Sequence, residues 1–326
     1  MEEPELRGVS VLVTGGAGFI GSHLVDALLE RGATVRVLDN FLTGKRENLR
    51  SAGGRVDLIE GDIRDRKSCA DACRGVALVF HEAALGSVPR SIEDPATTID
   101  INVAGTAALF TAARDAGVHR VIYASSSSVY GDSTALPKRE GEEGRPLSPY
   151  ALSKVMNEQL ADVYARCFGM GFVGLRYFNV FGPRQDPNGP YAAVVPRFFA
   201  AVKAGEQPVI YGDGLQSRDF TYVEDVVRAN LCAATAIAAS CGRAYNVAPG
   251  AKTTVKELAE TVIALHGAAA LPLYLPPRSG DIAHSQADST RAREMLRFVS
   301  CWSLKAGLKV MVSGEAGHAM KEESVS

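Results

Sequence analysis

Hydrophobic positions in the first half of the chain alternate between short β-branched runs and longer amphipathic stretches. The runs predict strands at Val9–Thr14, Thr34–Leu38, Val56–Glu60, Leu78–His81, Val121–Ser125 and Phe172–Arg176. The amphipathic stretches predict helices at Phe19–Arg31, Lys67–Cys73, Thr97–Ala116 and Tyr150–Phe168. Each passage between strands is long enough for a right-handed crossover. The pattern therefore predicts an α/β fold with a doubly wound parallel sheet.

The pattern changes after Asn179, where prolines and glycines mark an irregular loop. Shorter helices are predicted beyond it, at Ala193–Ala204, Val223–Ala238, Val255–Leu265 and Ala287–Leu296. We therefore predict a first domain at residues 1–178 and a smaller domain at 179–326, with part of 218–248 packing back on the first. The polar tail from Gly314 to Ser326 is expected to be frayed.

Composition narrows the functional classes. The chain has 326 residues, 46% of them hydrophobic, and a formal net charge of −2. It lacks the basic stripe of a nucleic-acid-binding protein and an apolar run of the roughly 20 residues that span a bilayer. The amino-terminal segment does not resemble a signal peptide, which predicts a cytoplasmic protein. The six cysteines show no metal-ligand spacing, so no metal site is expected.

A glycine-rich segment, Thr14–Gly21, follows the first predicted strand and begins the first predicted helix. Glycine is required where a turn is tight and where backbone approaches a pyrophosphate, here at Gly15, Gly18 and Gly21. The helix N-terminus then offers free N–H groups to the phosphates. Asp39 ends the second strand, where a carboxylate binds a ribose diol and repels a 2′-phosphate. The segment predicts a Rossmann-type site for NAD rather than NADP.

Three candidate catalytic residues follow in topological order. Ser126 comes after the fifth strand, and Tyr150 and Lys154 lie four residues apart on the next helix, which places them on one face. A free tyrosine has a pKa of about 10, so a base near neutral pH needs this value lowered by roughly 3 units. A cation at ~4 Å supplies about 4 kcal/mol at an effective dielectric of 20, which is enough. We therefore expect Tyr150 to act as the base, with Lys154 and the cationic nicotinamide ring together stabilising the phenolate and Ser126 holding the substrate oxygen.

Together these features resemble the extended short-chain dehydrogenase/reductase family, which acts mainly on nucleotide-activated sugars. The resemblance covers about residues 9–308. Within the family, the chain is most similar to the branch of bacterial UDP-N-acetylglucosamine 4-epimerases. This finer similarity lies in AALGSVPRS (83–91), YFNVFG (177–182), QDPNG (185–189) and RSGDIAHSQAD (278–288).

The resemblance implies further site residues. Implied cofactor contacts besides the glycines, Asp39, Tyr150 and Lys154 are Phe19, Ile20, Asn40, Asp62, Ile63, Ala83, Ala84 and Tyr177. Implied substrate contacts are Ser87, Arg90, Ser126, Ser127, Ser128, Tyr150, Asn179, Gln185, Val194, Tyr211, Arg218, Arg278, Asp281 and Ser285. In this interpretation Arg218 and Arg278 bind the diphosphate, for which a guanidinium is well suited, and Asp281 binds the uridine ribose.

The resemblance also implies the reaction. Dehydratases and decarboxylases of the family carry an acid just after the position of Ser126, whereas here Ser127 and Ser128 follow. We therefore expect C4 epimerisation of a UDP-hexose through a transient 4-keto sugar. In UDP-galactose 4-epimerases of narrow specificity, the position of Ser285 can hold a bulky tyrosine that closes the pocket beside C2. The small serine here therefore favours UDP-GlcNAc/UDP-GalNAc, with weaker UDP-Glc/UDP-Gal activity. The alternatives are a 4,6-dehydratase or decarboxylase, and a non-catalytic dinucleotide-binding protein.

Two expectations concern surfaces beyond the site. The predicted helices Thr97–Ala116 and Tyr150–Phe168 carry apolar residues outside one face, at Leu109 and Phe110 and at Leu160 and Val163. In the family such helices form a homodimer interface, and burial within one chain is the alternative. The polar residues from Lys309 onward depart from the family's usual final helix and put that helix in doubt.

Overall fold

The structure is a computed structural model that describes residues 6–187, 192–277 and 283–323. Its strands, in chain order, are β1 (Ser10–Thr14), β2 (Thr34–Asp39), β3 (Val56–Glu60), β4 (Leu78–His81), β5 (Arg120–Ser126), β6 (Gly171–Tyr177), β7 (Val180–Phe181), β8 (Val209–Tyr211), β9 (Ser217–Arg218), β10 (Thr221–Tyr222), β11 (Arg243–Val247), β12 (Thr253–Thr254) and β13 (Leu273–Leu275).

The helices surround these strands and complete the fold. They are α1 (Phe19–Glu30), α2 (Arg66–Cys73), α3 (Val88–Glu93), α4 (Pro95–Ile99), α5 (Thr106–Asp115), α6 (Pro149–Phe168), α7 (Val194–Lys203), α8 (Val223–Thr235), α9 (Val255–Leu265), α10 (Thr290–Leu296) and α11 (Leu304–Glu323). Within the described ranges, no helix is both long and apolar enough to span a bilayer.

The largest sheet has seven strands in the order β11-β6-β5-β4-β1-β2-β3, and every neighbouring pair is parallel. Both faces are covered, which explains why the strands read as continuous apolar runs. Along β1, Val11 and Val13 join the core cluster that includes residues of α1 and α8, while Leu12 joins the cluster with residues of α2 and α5. The predicted doubly wound parallel sheet is confirmed.

A smaller unit follows β6, with its own apolar core between α7, α9 and α11. Short strand pairs support it: β8 with β13, β9 with β12, and β7 with β10. The chain also returns to the large sheet, because Arg243–Val247 pairs with β6 along its edge and α8 packs against α1. Its connections bring β9 and the segment around Ser285 towards the carboxyl edge of the sheet.

Several predicted bounds differ from the structure. The predicted helix Thr97–Ala116 is interrupted, since a π-helical turn at Asp100–Gly105 joins α4 to α5. The predicted helix Ala287–Leu296 begins only at Thr290, because Ala287 forms a bridge with Lys138. The edge strand β11 was absent from the prediction: its five residues read RAYNV, a short run that includes arginine and asparagine.

The backbone is helical from Leu304 to Glu323, so most of the segment expected to be frayed belongs to α11. The helix begins in the packed part of the chain, where Leu308 is fully buried in the same core as Phe181 and Tyr222. Beyond Gly314 the sequence is rich in alanine, methionine, lysine and glutamate, which favour helix. A polar sequence therefore extends a helix whose start is anchored by tertiary contacts.

Candidate active site

A cleft of about 680 Å³ lies at the carboxyl edge of the large sheet. Because the strands are parallel, the residues that follow β1, β4, β5 and β6 meet at this edge. The predicted site residues in its wall are Gly15, Gly18, Phe19, Ile20, Gly21, Asp39, Asn40, Asp62, Ile63, Ala83, Ala84, Ser126, Ser127, Ser128, Tyr150, Lys154, Tyr177, Asn179, Gln185, Arg218 and Ser285. The structure therefore brings together most of the residues predicted from the sequence.

Other predicted substrate residues lie beside the cleft wall or beyond it. Ser87 caps α3 by accepting a hydrogen bond from the Arg90 backbone N–H at 3.3 Å, while the intervening Val88 and Pro89 line the cleft. Val194 begins α7, next to the cleft residue Ala193. Tyr211 ends β8 and does not line the cleft, and Arg278 and Asp281 lie outside the described residues.

The glycine turn is shaped for close backbone approach. Gly15 has a φ of +68°, and a Cβ built on it would lie 2.7 Å from the Ala83 backbone nitrogen. A Cβ on Gly21 would lie 2.2 Å from the Gly15 carbonyl oxygen. Only glycine fits at either position, so the N-terminus of α1 lies directly over the turn. This is the geometry in which free helix N–H groups face a pyrophosphate, and the turn therefore fits a dinucleotide.

Asp39 is held beside that turn at the end of β2. Its Oδ2 accepts a hydrogen bond from the Ala17 N–H at 2.9 Å, and its Oδ1 accepts one from the Phe41 N–H at 2.8 Å. Each carboxylate oxygen has a second lone pair, so both can also accept a ribose hydroxyl. The buried charge is therefore oriented before any ligand arrives, in the position where it disfavours a 2′-phosphate.

Asp62 forms part of the far wall of the cleft. It accepts a hydrogen bond from the Asn40 side chain at 2.8 Å and is paired with Arg64. The Arg64 hydrogen bonds lower the pKa of Asp62 to about 2, so this carboxylate is charged throughout the neutral range. Ile63 beside it is buried and apolar, so the wall at this end of the cleft combines a charged side chain with an apolar one.

The start of α6 determines where Tyr150 and Lys154 lie. Ser148 caps the helix by accepting a hydrogen bond from the Ala151 N–H at 3.1 Å, and Pro149 occupies the first helical position, which its fixed φ favours. Tyr150 is thus in the first turn and hydrogen-bonds the Ser126 hydroxyl at the end of β5. The Lys154 Nζ donates to the Ala124 carbonyl at 2.8 Å and lies 5.9 Å from the centre of the Tyr150 ring.

Burial shifts the pKa values of Tyr150 and Lys154 in opposite directions, each towards the neutral form. Burial raises the pKa of Tyr150, and the hydrogen bond from Ser126 opposes that rise. Burial lowers the pKa of Lys154 to about 8, although the Glu82 and Glu158 carboxylates counteract the change. Lys154 alone therefore does not turn Tyr150 into a base at neutral pH. A second positive charge, such as that of an oxidised nicotinamide ring, is needed close to the phenol.

Glu82 is a cleft residue that the sequence reasoning missed. Its Oε1 accepts a hydrogen bond from the Tyr177 hydroxyl at 2.8 Å, and the Asn230 side-chain amide donates to that hydroxyl, also at 2.8 Å. Burial raises the pKa of Glu82 to about 7. Glu82 directly follows β4, as Ser126 ends β5, so its place at a strand end was the available signal.

The second unit supplies the opposite wall through Asn179, Arg218 and Ser285. Asn179 donates to the Asp219 carbonyl at 3.2 Å, and the Ser285 N–H donates to the Ser217 carbonyl at 3.0 Å. The buried Asp219 side chain accepts hydrogen bonds from the backbone of Ala251 and Ala287, which ties β9 to the segment carrying Ser285. Groups of three or more residues able to hold a metal are absent from the part of the chain that the structure describes.

A parallel sheet, a glycine turn under a helix N-terminus and a Ser–Tyr–Lys arrangement define a class, the NAD-dependent enzymes built on a Rossmann fold. Residues 11–248 match the NAD dependent epimerase/dehydratase family. The chain belongs to this family. The predictions of the family, of an enzyme and of an NAD cofactor are confirmed.

Two relatives carry the names of different reactions on nucleotide sugars. The chain is 41% identical over 305 residues to the UDP-glucose 4-epimerase of Mycolicibacterium smegmatis, covering 91% of this chain and 95% of that protein. It is 34% identical over 309 residues to the UDP-N-acetyl-alpha-D-glucosaminuronate decarboxylase of Bacillus cytotoxicus, with 91% and 95% covered.

Solved structures show the same likeness. The UDP-N-acetylglucosamine 4-epimerase of Methanobrevibacter ruminantium, in complex with UDP-N-acetylmuramic acid, has a TM-score of 0.91, 38% identity, and coverage of 96% of this chain and 99% of that one. The UDP-glucose 4-epimerase of Thermotoga maritima, with UDP-glucose, has a TM-score of 0.90, 38% identity and coverage of 95% and 100%. That of Thermus thermophilus, with NAD, has a TM-score of 0.85, 37% identity and coverage of 94% and 98%.

Proposed function

We propose that this chain is an NAD-dependent C4 epimerase of UDP-hexoses, with UDP-GlcNAc/UDP-GalNAc as its main pair and UDP-Glc/UDP-Gal as a weaker one. The observation that carries the proposal is the Ser126–Tyr150–Lys154 geometry at the sheet edge, followed by Ser127 and Ser128 where an eliminating or decarboxylating enzyme of the family would place an acid. UDP-sugar epimerases among the relatives support the same reaction.

In this proposal the chain's own residues move one proton and hold the sugar. NAD, held by the glycine turn and Asp39, would supply a reversible hydride acceptor for C4 of the sugar. Tyr150 takes the proton of the C4 hydroxyl and later gives it back, so its pKa has to suit both directions. Ser126 holds the C4 oxygen through its hydroxyl, and Lys154 supplies a fixed positive charge one helical turn away.

The glycine turn and Asp39 are proposed to hold the pyrophosphate and adenosine ribose, with Asp62 and Ile63 beside the adenine. On the substrate side, Arg218 is proposed to bind the diphosphate together with Arg278, and Asp281 to bind the uridine ribose. Arg218 belongs to β9, whose pairing with β12 fixes its backbone at the cleft. A planar guanidinium matches two phosphate oxygens at once, which Lys does not.

The range of C2 substituents that the enzyme accepts is proposed to depend on Ser285. This residue lines the cleft with only 9% of its surface exposed, and its N–H is bonded to the Ser217 carbonyl, so the backbone there is fixed. A small side chain on a fixed backbone leaves space that a large one would fill. By resemblance to the UDP-N-acetylglucosamine 4-epimerases, that space is assigned to the N-acetyl group at C2.

The test is proton NMR of the C4 configuration after incubation with UDP-GlcNAc and, separately, with UDP-Glc. We expect both to be epimerised, the acetylated sugar faster. Ser285→Tyr should lower turnover of UDP-GlcNAc about 10- to 100-fold more than that of UDP-Glc, because the ring fills the space beside C2. Ser313→Tyr, on the exposed side of α11, is the matched control and should change neither rate. An equal loss for both sugars contradicts the assignment of Ser285.

The decarboxylase relative keeps one alternative open, and a dehydratase is the other. Either would change the product mass, by carbon dioxide or by water, whereas epimerisation leaves it unchanged. Mass spectrometry of the same reaction mixtures therefore detects a dehydratase. A decarboxylase needs a C6 carboxylate to release as carbon dioxide, so a third incubation with UDP-N-acetylglucosaminuronate tests for that reaction. A non-catalytic dinucleotide-binding protein would turn over none of the sugars.

We also propose a homodimer formed through α6. Leu109 and Phe110 on α5 are buried within the chain, so they do not support an interface, whereas Leu152, Val163 and Phe168 on α6 are between 42% and 47% exposed. Light scattering after size exclusion should give twice the chain mass of 34.6 kDa. Val163→Asp should shift the particle to the monomer, since it buries a charge in an apolar interface. A wild-type monomer at micromolar concentration contradicts the proposal.

A further inference from the structure

The cleft contains a carboxylate that the proposed reaction does not use. Glu82 stands immediately after β4, in the wall that also contains Tyr150 and Lys154. Its backbone N–H donates to the Thr14 carbonyl at 3.1 Å, so the residue continues the ladder between β4 and β1 for one more step. The Glu82 side chain therefore extends from backbone that is fixed by strand pairing and not from a loop.

A chain of hydrogen bonds also fixes the carboxyl group. The Tyr177 hydroxyl donates to Oε1 of Glu82, and the Asn230 amide donates to that hydroxyl and reaches the Val226 carbonyl at 3.0 Å. The chain thus runs from α8 through the end of β6 to the end of β4. Three elements far apart in sequence therefore hold one carboxylate in place. A residue that only fills space would not need these hydrogen bonds.

The ionisable groups around Glu82 and Lys154 come from three elements, β4, α6 and β6. Tyr150, Lys154 and Glu158 lie on α6, and Tyr177 ends β6. His81 precedes Glu82, but its two ring nitrogens are bonded to the hydroxyls of Thr14 and Thr106, and burial lowers its pKa to about 3. His81 is therefore neutral, and Glu158 is paired with Arg176. Among these groups, Lys154 is the one whose charge complements that of Glu82.

We propose, given the function proposed above, that Glu82 is a positioning residue for the Tyr150–Lys154 pair, and that its carboxylate, held by Tyr177, keeps Lys154 in the ammonium form in the wall of the cleft. Its charge acts on the two partners in opposite ways: it stabilises the ammonium and disfavours the phenolate. Both effects suit a reaction in which the phenol must return its proton as well as take it.

The pH range of the effect follows from the two groups. Burial raises the pKa of Glu82 to about 7, so the carboxylate is charged only above that pH. Burial lowers the pKa of Lys154 to about 8, and the Glu82 charge opposes this lowering. Removing that charge lowers the pKa of Lys154 further. The ammonium is then lost at a lower pH, while below about pH 7 the protonated, neutral Glu82 and a glutamine are equivalent.

The experiment compares the pH profile of kcat for wild type and Glu82→Gln between about pH 6 and about pH 9, with the best UDP-sugar saturating. We expect equal rates near the acid end and a deficit of about three- to tenfold at the alkaline end, the effect of lowering the pKa of Lys154 by about half to one unit. Glu82→Asp, which keeps the charge, should recover most of the alkaline rate. Glu142→Gln, an exposed carboxylate outside the cleft, is the matched control and should follow wild type.

A second readout does not depend on turnover. Only the neutral amine reacts with a small acylating reagent, so the pH dependence of Lys154 acylation, read by peptide mass spectrometry on the NAD-bound enzyme, reports its ionisation. Glu82→Gln should move the half-point to lower pH. An unchanged half-point, or a rate deficit that is the same at every pH, overturns the proposal. A wild type that turns over none of the sugars contradicts the proposed function instead, and the acylation experiment still decides the role of Glu82.

Discussion

Single residues in the cleft show how burial sets the chemistry available to the chain. Burial raises the pKa of Tyr150 and lowers that of Lys154, so each group is shifted towards its neutral form. The site thereby holds an amine close to its change of charge and a phenol that keeps its proton at neutral pH. A cation that enters the cleft favours the phenolate and so lowers the pKa of Tyr150. Asp39 is also buried, and two backbone N–H groups orient its carboxylate.

Tyr150→Phe is expected to lower kcat about 10²- to 10⁴-fold, because the change removes only the proton-transfer group. The Ser126 hydrogen bond is lost, but the ring keeps its packing, so the Kd for NAD should change little. Tyr274→Phe, on the exposed part of β13, removes an equivalent hydroxyl away from the cleft and should leave kcat unchanged. Turnover by NMR and NAD binding by calorimetry provide the measurements. Full activity in Tyr150→Phe would exclude the proposed mechanism.

At the scale of elements, a buried ion pair holds α6 against the large sheet. Arg176 on β6 donates to both oxygens of Glu158, at 2.9 and 2.7 Å, and its side chain is only 6% exposed. The Ser125 hydroxyl donates to the same carboxylate at 2.5 Å. Glu158 lies one turn after Lys154, so this cluster anchors the helix that carries the catalytic pair. Glu143 pairs with Arg176 from the other side.

Arg176→Met is expected to destabilise the protein by about 3–5 kcal/mol, because it leaves the Glu158 carboxylate buried without its partner. Arg166→Met, which removes an arginine of α6 itself, is the comparison variant. Its pair with Asp162 is largely exposed and screened by solvent, so its loss should leave the stability close to that of wild type. Urea unfolding followed by circular dichroism measures both. Equal losses in the two variants would show that the Arg176 cluster does not anchor α6.

Over the whole molecule, the cleft has walls from two units whose cores are separate. One unit is the parallel sheet with its helices, and the other packs α7, α9 and α11 around Phe181 and Tyr222. Gly307 on α11 lies so close to these rings that a Cβ there would be 2.6 Å from Tyr222. The final helix is therefore part of the second core and not an appendage to it. Asp219 then connects that unit to the segment bearing Ser285.

Leu308→Ala tests whether α11 belongs to the second core. The side chain is fully buried, so its truncation should cost about 2–5 kcal/mol of unfolding free energy. Val310→Ala, two residues later and 37% exposed, should cost well under half of that. Thermal melting of both variants, with and without NAD, is the measurement. Similar melting temperatures for Leu308→Ala and wild type would mean that α11 does not stabilise the fold.

The sequence predicted most of what depends on local order. Apolar runs, glycine spacing and the four-residue interval between Tyr150 and Lys154 are properties of neighbouring residues, and strand ends in a parallel sheet meet at one edge by geometry. The sheet, the dinucleotide turn and the Ser–Tyr–Lys arrangement could therefore be inferred from the chain alone. The family resemblance added the reaction class.

Tertiary structure alone decided the features that join distant segments. The hydrogen bond between Glu82 and Tyr177 spans 95 residues, and the one between Tyr177 and Asn230 spans 53, so no local pattern could indicate either. The same is true of the edge strand β11 and of the buried start of α11, whose stability comes from packing rather than propensity. Local sequence specifies which groups can do the chemistry, whereas the charge each group carries depends on what folding places beside it.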